Sequence, residues 1–230
     1  ALSPNQQQQL RDMSLRNKGT VAYSMTDLPG YNGIEGPFTI RLKHDNPIIT
    51  PQRRLSPLDK ETQNAKCKEL ADAGIIQPTK GETNYASCAT MPAKKDENGE
   101  WTDRRYCLDF RRVNEATARD PYGLHLPEDL FQQLGSSTCF SKLDLRAGFL
   151  QIPIHPDHQN ITSFWWDNQL WHYTRLPFGL VNASAKFQRV MDAEIARAGL
   201  GHCCMAYIDD VLIHSPDPQQ HIADVEKVLR

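Results

Sequence analysis

Two adjacent aspartates interrupt an apolar stretch near the end of the sequence. Asp209 and Asp210 lie between residues 205–208 and 211–213, which are typical of two strand halves joined by a tight turn. The central residues of a two-residue hairpin turn need positive φ, so Asp-Asp is a poor choice there, and neighbouring negative charges also repel. A solvated acidic turn is the simplest explanation, because aspartate is common in turns. The alternative is that the two carboxylates bind a ligand.

A third acid occupies an equally unexpected position. Asp144 lies at the end of an apolar, strand-like run, where a lone ionised carboxylate is costly unless it is paired or bound to a metal. It could pair with Lys142 or Arg146, or cap the end of a strand. If it meets Asp209 and Asp210 instead, the three side chains supply the oxygen ligands that two Mg²⁺ ions need. Two such ions, about 4 Å apart, lower the pKa of an attacking hydroxyl and neutralise a leaving pyrophosphate.

The composition is that of a folding chain with little net charge. Its 230 residues are 39% hydrophobic and 23% charged, and 26 Lys and Arg against 28 Asp and Glu leave a net charge of −2. These values exclude a disordered chain, and a nucleic-acid partner would need a local basic surface. No window approaches the roughly 18 apolar residues of a membrane-spanning helix, and the first ten residues lack the layout of a signal peptide.

The six cysteines indicate a reducing, soluble compartment. Apart from Cys203 and Cys204 they are widely scattered, no C-x-x-C spacing occurs, and several lie among apolar residues. The spacing therefore predicts neither a disulfide framework nor a zinc site. The segment 155–158 (His-Pro-Asp-His) superficially suggests a metal site, but it lacks a further ligand pair and is interpreted as a surface loop.

Two long helices are predicted from their periodicity and their ends. Ser56 is typical of an N-cap and Gly74 of a stop, so a helix should cover about residues 57–73. Apolar residues at helical spacing predict a second helix that begins near residue 182 or 184 and ends at Gly199. Shorter helices are expected at residues 128–134 and from about residue 218.

Strands are predicted from alternating or continuous apolar runs. The runs at 86–92 and 106–110 flank a polar segment with two lysines, which predicts a hairpin with a basic tip. A second hairpin is expected at 163–173, where three tryptophans could stack on bases, although packing within the hairpin explains them better. Further strands are expected at residues 38–42, 139–145 and 150–154. The mixture of strands and helices predicts an α+β fold.

Five ordered blocks of residues carry a resemblance to a known family. They lie at 74–78 (Gly-Ile-Ile-Gln-Pro), 105–114 (Arg-Tyr-Cys-Leu-Asp-Phe-Arg-Arg-Val-Asn), 140–149 (Phe-Ser-Lys-Leu-Asp-Leu-Arg-Ala-Gly-Phe), 176–183 (Leu-Pro-Phe-Gly-Leu-Val-Asn-Ala) and 207–210 (Tyr-Ile-Asp-Asp). In this order and at this spacing, the sequence resembles the reverse transcriptases of gypsy-type long-terminal-repeat retrotransposons. More distantly it resembles retroviral and caulimoviral polymerases. The resemblance runs from about Phe38 to the end.

The resemblance implies an α+β right-hand polymerase fold of fingers and palm, with an antiparallel palm sheet backed by helices and with the thumb absent. The first 37 residues, which are polar and lack a clear period, are interpreted as an N-terminal linker or strap. The resemblance then assigns 38–118 to the first part of the fingers, 119–151 to the first part of the palm, 152–181 to the second part of the fingers and 182–230 to the second part of the palm, truncated before the thumb.

The function that the resemblance implies is RNA-directed DNA polymerase activity within a retrotransposon polyprotein. Asp144, Asp209 and Asp210 would hold two Mg²⁺ ions, for which Mn²⁺ can substitute, while deoxynucleotides are added to a primer 3′-hydroxyl. The expected partners are an RNA or DNA template with primer, a dNTP, and the thumb, connection and RNase H regions of the polyprotein, with no membrane. The expected location is cytoplasmic, in a virus-like particle, or nuclear. The alternative is a truncated or domesticated domain that serves as a structural or interaction module and binds a protein partner.

Two basic residues would face the triphosphate. By the resemblance, Lys94 at the basic hairpin tip and Arg105 on its return strand grip the phosphates, as a point charge and a planar fork respectively. Lys95 is a near-equal substitute for Lys94. A solvated basic turn is the alternative.

Four more residues would line the nucleotide site. By the resemblance, Phe149 excludes a 2′-hydroxyl, Phe178 and Gly179 shape the nucleotide and template pocket, and Tyr207 lies beside the acids. From the residues alone, Phe149 could equally be a core aromatic, and Phe178 and Gly179 part of a strand-to-helix turn. Gln188 could contact template, although a surface glutamine describes it better.

Overall fold

Two antiparallel sheets of three strands, each packed against helices, form the framework of the chain. The computed structural model describes residues 3–93, 99, 104–123 and 126–230, with only the backbone of Pro127. The helices are α1 (Pro4–Arg16), α2 (Pro57–Asp72), α3 (Arg111–Ala116), α4 (Pro127–Gln133), α5 (Ala183–Arg197) and α6 (Pro218–Val228). The strands are β1 (Ile48–Ile49), β2 (Ile76–Pro78), β3 (Tyr85–Ala86), β4 (Cys88–Thr90), β5 (Cys107–Asp109), β6 (Cys139–Asp144), β7 (Phe164–Trp166), β8 (Gln169–Tyr173), β9 (Cys204–Tyr207) and β10 (Asp210–Ser215). The predicted α+β class is confirmed.

The sheet that carries the three acids has the order β6-β10-β9 and is antiparallel throughout. Helices α5 and α6 pack against it, and α1 in turn packs against α6. A compact apolar core joins these elements, because alternate residues of β10 such as Val211 and Ile213 point to the helices. Met13 of α1 belongs to the same core and is only 2% exposed.

The second sheet has the order β2-β8-β7 and packs against α2. Beside it, β4 pairs with β5 in antiparallel fashion and β1 pairs with β3 in parallel. Its core is the larger of the two and contains Leu70, Ile75, Phe110, Phe164 and Leu176, each almost completely buried. This core extends towards α5 through Phe187, so it supports the acidic sheet from one side.

The two long helices confirm the sequence prediction. The hydroxyl of Ser56 accepts a hydrogen bond from the Asp59 N–H, and Pro57 occupies the first turn of α2. Gly74 follows α2 with φ +68° and Gly199 follows α5 with φ +67°, the left-handed conformation that glycine adopts without strain.

Both predicted hairpins are present among the described residues. Strands β7 and β8 are joined at Asp167 and Asn168, with φ of +47° and +59°, and the rings of Trp166 and Trp171 lie 4.6 Å apart between centroids. Their contact favours the packing explanation for the tryptophans. In the other hairpin β4 and β5 pair as expected. The segments 94–98 and 100–103, which include its predicted basic tip, lie outside the described residues.

Three expectations for shorter elements are wrong. The presumed linker contains helix α1, which is capped by Ser3 and packs into the core through Met13. Its run of glutamines shows no apolar period from which a helix could be predicted. Residues 150–154 do not form a strand, because Gly148–Gln151 is a 3-10 helix that follows the left-handed turn at Ala147. Residues 38–42 are buried at alternate positions yet make only isolated bridges, which join Phe38 to Ile154 and Leu42 to Thr117.

Three remaining sequence observations concern the whole chain. Among the described residues, no helix is both long and apolar enough to cross a membrane. All six cysteines are free thiols. The segment 155–158 begins a 3-10 helix, Pro156–Thr162, in which a ring nitrogen of His158 accepts a hydrogen bond from the Ile40 N–H.

Candidate active site

Asp144 and Asp210 are direct cross-strand partners. Asp144 is the last residue of β6 and Asp210 the first of β10, and the register of the antiparallel pair places them opposite each other. Like charges in this position destabilise a sheet unless a cation lies between or beside them. The convergence of a distant acid with the hairpin acids therefore follows from strand pairing.

The turn between β9 and β10 is formed by Ile208 and Asp209, and Asp210 is already in the strand, paired with Tyr207. The expectation that Asp209 and Asp210 form the turn is wrong by one residue. Ile208 has φ +53°, a conformation that is rare for a β-branched side chain. Such strain persists where the surroundings impose it, and it is concentrated at functional sites.

Gln188 of α5 imposes this turn. Its side-chain oxygen accepts a hydrogen bond from the Ile208 N–H at 2.9 Å, and its amide nitrogen donates to the Ala206 carbonyl, also at 2.9 Å. The same nitrogen donates to Asp192, which accepts another hydrogen bond from the Tyr122 hydroxyl at 2.6 Å. Gln188 is completely buried, so its interpretation as a surface glutamine is wrong.

The sequence contained a signal for this role. Position 188 is three residues before Met191 and seven before Ile195, which places it on the apolar face of α5. A buried glutamine in such a stripe must satisfy its amide within the protein, and a nearby hairpin turn offers unpaired backbone groups.

Asp209 is partly buried and lies near the other two acids. One of its carboxylate oxygens is buried and has no hydrogen-bond partner among the described residues. Burial raises the pKa of this carboxyl, and the nearby charges of Asp144 and Asp210 raise it further. A carboxylate held in this way is a strong attractor for a cation.

Gly148 lies close to both the Phe187 ring and Asp209. A Cβ at this position would lie 2.8 Å from the Phe187 ring and 3.4 Å from the unpartnered oxygen of Asp209. The absence of a side chain thus lets the 3-10 helix after Ala147 approach both α5 and the acidic turn.

Lys142 supplies the positive charge at the outer edge of the site. Its ammonium donates to Asp210 at 2.8 Å, although both side chains are more than half exposed. The hydrogen bond and charge of Asp210 raise the pKa of Lys142, with a smaller contribution from Asp144. Asp144 itself is exposed at the end of its strand, so the mouth of the acidic cluster faces solvent.

The three acids provide the donor set that a pair of Mg²⁺ ions prefers. Carboxylate oxygens are the usual protein ligands of Mg²⁺, and an unpartnered buried oxygen on Asp209 fits a ligand that the protein itself does not supply. Asp144, Asp209 and Asp210 are therefore the residues that could hold such ions.

Phe149 is buried beneath the acidic turn, with 5% of its surface exposed. Its ring lies 4.9 Å from that of Phe178 and 4.9 Å from that of Phe187, measured between centroids. Phe178 is 57% exposed, so it presents an aromatic surface to solvent next to the site. This packing describes Phe149 as a core aromatic at the site boundary, and its selection of the sugar stays a prediction.

Gly179 adopts φ +94°, which a residue with a side chain tolerates poorly. Its carbonyl accepts a hydrogen bond from the Asn114 amide at 2.7 Å, and the oxygen of Asn114 accepts one from the Val181 N–H. Asn114, on α3, therefore fixes the segment around Phe178. The residue belongs to the second of the five sequence blocks, but its role there could not be read from the sequence.

Of the remaining predicted residues, Tyr207 lies next to the acids because it pairs with Asp210 across the hairpin. Tyr207, 39% exposed, lines an apolar groove of about 340 Å³ between α4 and the acidic sheet. Arg105 is exposed, and its backbone N–H donates to the carbonyl of Pro92. Lys94 and Lys95 lie outside the described residues.

Known proteins share both the sequence and the fold of this chain. Residues 93–230 match the family described as "Reverse transcriptase (RNA-dependent DNA polymerase)". The chain is 29% identical over 222 residues to the retrovirus-related Pol polyprotein from transposon gypsy of Drosophila melanogaster, covering 96% of this chain and 21% of that protein. It is 37% identical over 161 residues to the corresponding polyprotein from transposon opus of the same organism, covering 70% of this chain and 16% of that protein.

Viral proteins extend the comparison. The enzymatic polyprotein of cauliflower mosaic virus (strain NY8153) is 29% identical over 177 residues, covering 77% of this chain and 25% of that protein. The crystal structure of prototype foamy virus protease-reverse transcriptase (CSH mutant) superposes with a TM-score of 0.80 at 22% identity, covering all of this chain and 29% of that chain.

The match over residues 93–230 exceeds half of the chain, and the structural likeness extends over its full length. The expected fingers and palm fold is thereby confirmed. The chain spans a quarter or less of these three polyproteins. It belongs to the reverse transcriptase (RNA-dependent DNA polymerase) family and is similar to its gypsy-type members.

Proposed function

We propose that this chain is the fingers and palm portion of an RNA-directed DNA polymerase, which joins a primer 3′-hydroxyl to a deoxynucleotide and releases pyrophosphate. The observation that carries the proposal is the convergence of Asp144, Asp209 and Asp210 around a buried, unpartnered carboxylate oxygen. Carboxylates placed this close repel one another unless a cation lies among them, so they are good cation ligands.

Two Mg²⁺ ions, or Mn²⁺ in their place, would be held by these three acids. Such ions supply a lowered pKa for the attacking hydroxyl and charge neutralisation for the leaving pyrophosphate. The protein's own contribution is positioning. Strand pairing fixes Asp144 against Asp210, and Gln188 fixes the turn that directs Asp209.

Lys94 and Arg105 would neutralise the triphosphate from the fingers. Phe178 and Gly179 would wall the nucleotide pocket, with Gly179 held by Asn114, and Tyr207 would border it beside Asp210. In this proposal the two cations would approach the triphosphate from the side opposite the acids.

Phe149 would reject ribonucleotides, because its ring packs against those of Phe178 and Phe187 and would clash with an added 2′-oxygen. Replacing Phe149 by valine should raise ribonucleotide incorporation relative to deoxynucleotide incorporation. Competition assays with matched nucleotide pairs measure this ratio, and an unchanged ratio would contradict the assignment.

The proposed partners are an RNA or DNA template with its primer, together with the thumb, connection and RNase H regions of a parent polyprotein. The foamy viral protease-reverse transcriptase has been solved in complex with dsDNA and with an RNA/DNA hybrid. Its likeness to this chain supports a nucleic-acid cleft between fingers and palm. The boundaries proposed for these parts are 38–118 and 152–181 for the fingers and 119–151 and 182–230 for the palm. The proposed location is a cytoplasmic virus-like particle or the nucleus.

Primer extension with oligo(dT) on poly(rA) and Mg²⁺ tests the proposal. Asp209→Asn should abolish extension, whereas Asp157→Asn, which alters a highly exposed acid on a distant 3-10 helix, should leave it intact. A Mn²⁺ titration followed by electron paramagnetic resonance provides a readout without turnover. Extension that survives Asp209→Asn would contradict the assignment of Asp209 as a metal ligand. A wild-type protein that neither extends the primer nor binds Mn²⁺ would favour the interaction-module alternative.

A further inference from the structure

A second group of metal-ligating side chains lies at the opposite end of β9 from the acidic turn. One ring nitrogen of His202, the sulfur of Cys203 and a carboxylate oxygen of Asp224 all lie within 4.8 Å of one another. His202 and Cys203 directly precede β9, and Asp224 is on α6. Cys203 is four residues from Tyr207, which corresponds to ~13 Å along an extended strand. The group is therefore distinct from the three acids of the candidate active site.

Two of the three side chains are almost fully buried. Asp224 is 2% exposed and Cys203 is 1% exposed, while His202 is exposed at the surface. Asp224 accepts hydrogen bonds from Ser215 at 2.8 Å and Gln220 at 2.8 Å. These contacts hold the carboxylate in place and leave further lone pairs on both oxygens.

The positive charge that pairs with Asp224 is that of Lys227, whose side chain is half exposed. The ammonium of Lys227 lies 3.3 Å from the carboxylate, and the Lys227 side chain is 51% exposed. A long, half-exposed side chain of this kind can move into solvent when another cation takes its place.

The orientation of His202 fits a metal ligand. Its Nδ1 lies 3.0 Å from the carbonyl oxygen of Gly199, the residue that ends α5. Nδ1 therefore donates its proton to this carbonyl, and Nε2 keeps its lone pair. Metal-bound histidines commonly have this second hydrogen bond to a backbone carbonyl, because it fixes the tautomer and the ring.

We propose that His202, Cys203 and Asp224 form a binding site for Zn²⁺ or a similar thiophilic divalent ion, with water as the fourth ligand. A mixed nitrogen, sulfur and oxygen donor set suits tetrahedral zinc, whereas Mg²⁺ prefers oxygen alone. In such a site adjacent ligand atoms are about 3.3–3.8 Å apart, so the present group needs to contract by roughly 1 Å. The exposed His202 can make that movement.

The charges balance when the ion binds. The Cys203 thiol, which now donates to the Leu200 carbonyl, loses its proton to solvent as the sulfur–metal bond forms. The thiolate and the Asp224 carboxylate then cancel the two positive charges of the ion, while His202 stays neutral. A buried ion with matched ligands of opposite charge avoids the cost of an unpaired buried charge.

Binding would tie α6 to the start of β9. At present α6 and β9 meet near the site through the apolar core that they share, whereas the Ser215 to Asp224 hydrogen bond joins α6 to β10. A metal bridge would add a link that only the folded state possesses, so the ion should raise the melting temperature.

Co²⁺ absorption and Zn²⁺ competition on the full 230-residue chain test the proposal. The wild-type protein should bind one Co²⁺ with a sulfur-to-cobalt charge-transfer band, and Zn²⁺ should displace it. His202→Asn, at an exposed position, should weaken Zn²⁺ binding by at least about tenfold. The matched control His44→Asn, at an exposed histidine elsewhere, should bind as the wild type does.

Two further variants separate this site from others. Cys203→Ser should lose the charge-transfer band, and Asp209→Asn should retain it, because Asp209 belongs to the acidic cluster. The proposal is overturned if wild-type protein shows no such band, if His44→Asn weakens Zn²⁺ binding as much as His202→Asn, or if Asp209→Asn removes the ion. Should Cys203→Ser fail to fold, the comparison of His202→Asn with His44→Asn decides the question.

Discussion

A single residue at the acidic turn, Asp209, both offers a carboxylate to a cation and lowers the stability of the folded state when it is ionised. Asp209 carries a raised pKa because it is buried and lies near two other acids. The folded state therefore binds a proton at Asp209 more tightly than the unfolded chain does. As pH rises through the folded-state pKa, this group ionises at the expense of stability, so its penalty is fully present at neutral pH.

Asp209→Asn should consequently melt at a higher temperature than the wild type at neutral pH in divalent-free buffer. The difference should shrink as the pH falls through the raised folded-state pKa, and it should be lost below about pH 4, where the wild-type carboxyl becomes protonated in both states. Differential scanning calorimetry across this pH range provides the measurement, with Asp157→Asn as the control. A lower melting temperature for Asp209→Asn at neutral pH would refute the electrostatic account.

Lys142 competes with a metal for Asp210. Removing its charge in Lys142→Ala should increase the affinity for Mn²⁺ by roughly twofold to fivefold, since the pair is exposed and its interaction is modest. The paramagnetic titration described above measures this affinity. Lys66→Ala, which breaks an exposed pair with Glu69 on α2, is the matched control and should change nothing.

At the scale of elements, α5 acts on the hairpin through one side chain. Gln188→Ala would leave the Ile208 N–H and the Ala206 carbonyl unpaired in the interior, and each buried unsatisfied group costs about 1–3 kcal/mol. We expect a marked loss of stability together with a loss of polymerase activity, because the strained turn loses its support.

Urea denaturation and primer extension on the same preparations measure these two effects. Gln132→Ala, on the exposed side of α4, should behave as the wild type. A Gln188→Ala protein that is as stable and as active as wild type would show that the hairpin sequence alone sets the turn.

The elements that the sequence predicted well are those with local signals at their ends. Helix α2 has Ser56, Pro57 and Gly74, and each contributes through its own backbone conformation. The turn at Ile208 could not be predicted in this way, because its positive φ is imposed by Gln188, twenty residues earlier in the chain. Helix α1 has the same kind of start, with Ser3 as N-cap and Pro4 in the first turn, but it was missed because the glutamines that follow show no apolar period.

At the scale of the whole molecule, the candidate site could be predicted in membership but not in geometry. The types and spacing of Asp144, Asp209 and Asp210 indicated a shared cluster, and the register of β6 with β10 places two of them face to face. The spacing on α5 places Gln188 on the buried face, but it does not identify the turn that Gln188 binds. That contact and the grouping of Cys203 with Asp224 depend on helix packing over long sequence separations.

Helix α1 should stabilise the sheet of β6, β10 and β9, although almost two hundred residues separate it from β9 and β10 along the chain. Met13→Ala would leave a cavity in the core shared by α1, α6 and β10, and a buried Met→Ala change typically costs about 2–5 kcal/mol. Chemical denaturation should show this loss. Leu15→Ala, on the same helix but 69% exposed, should stay within about 0.5 kcal/mol of wild type, and equal effects would contradict the docking of α1.

The contact made by Gly148 bears on how this chain can evolve. Every other amino acid would place a Cβ 2.8 Å from the Phe187 ring and close to Asp209. The Phe187 ring would then have to shift, although it also packs against Phe149. We therefore expect no substitution of Gly148 to be tolerated. A saturation library under selection for DNA synthesis should return glycine alone there, while the neighbouring exposed Arg146 tolerates many replacements.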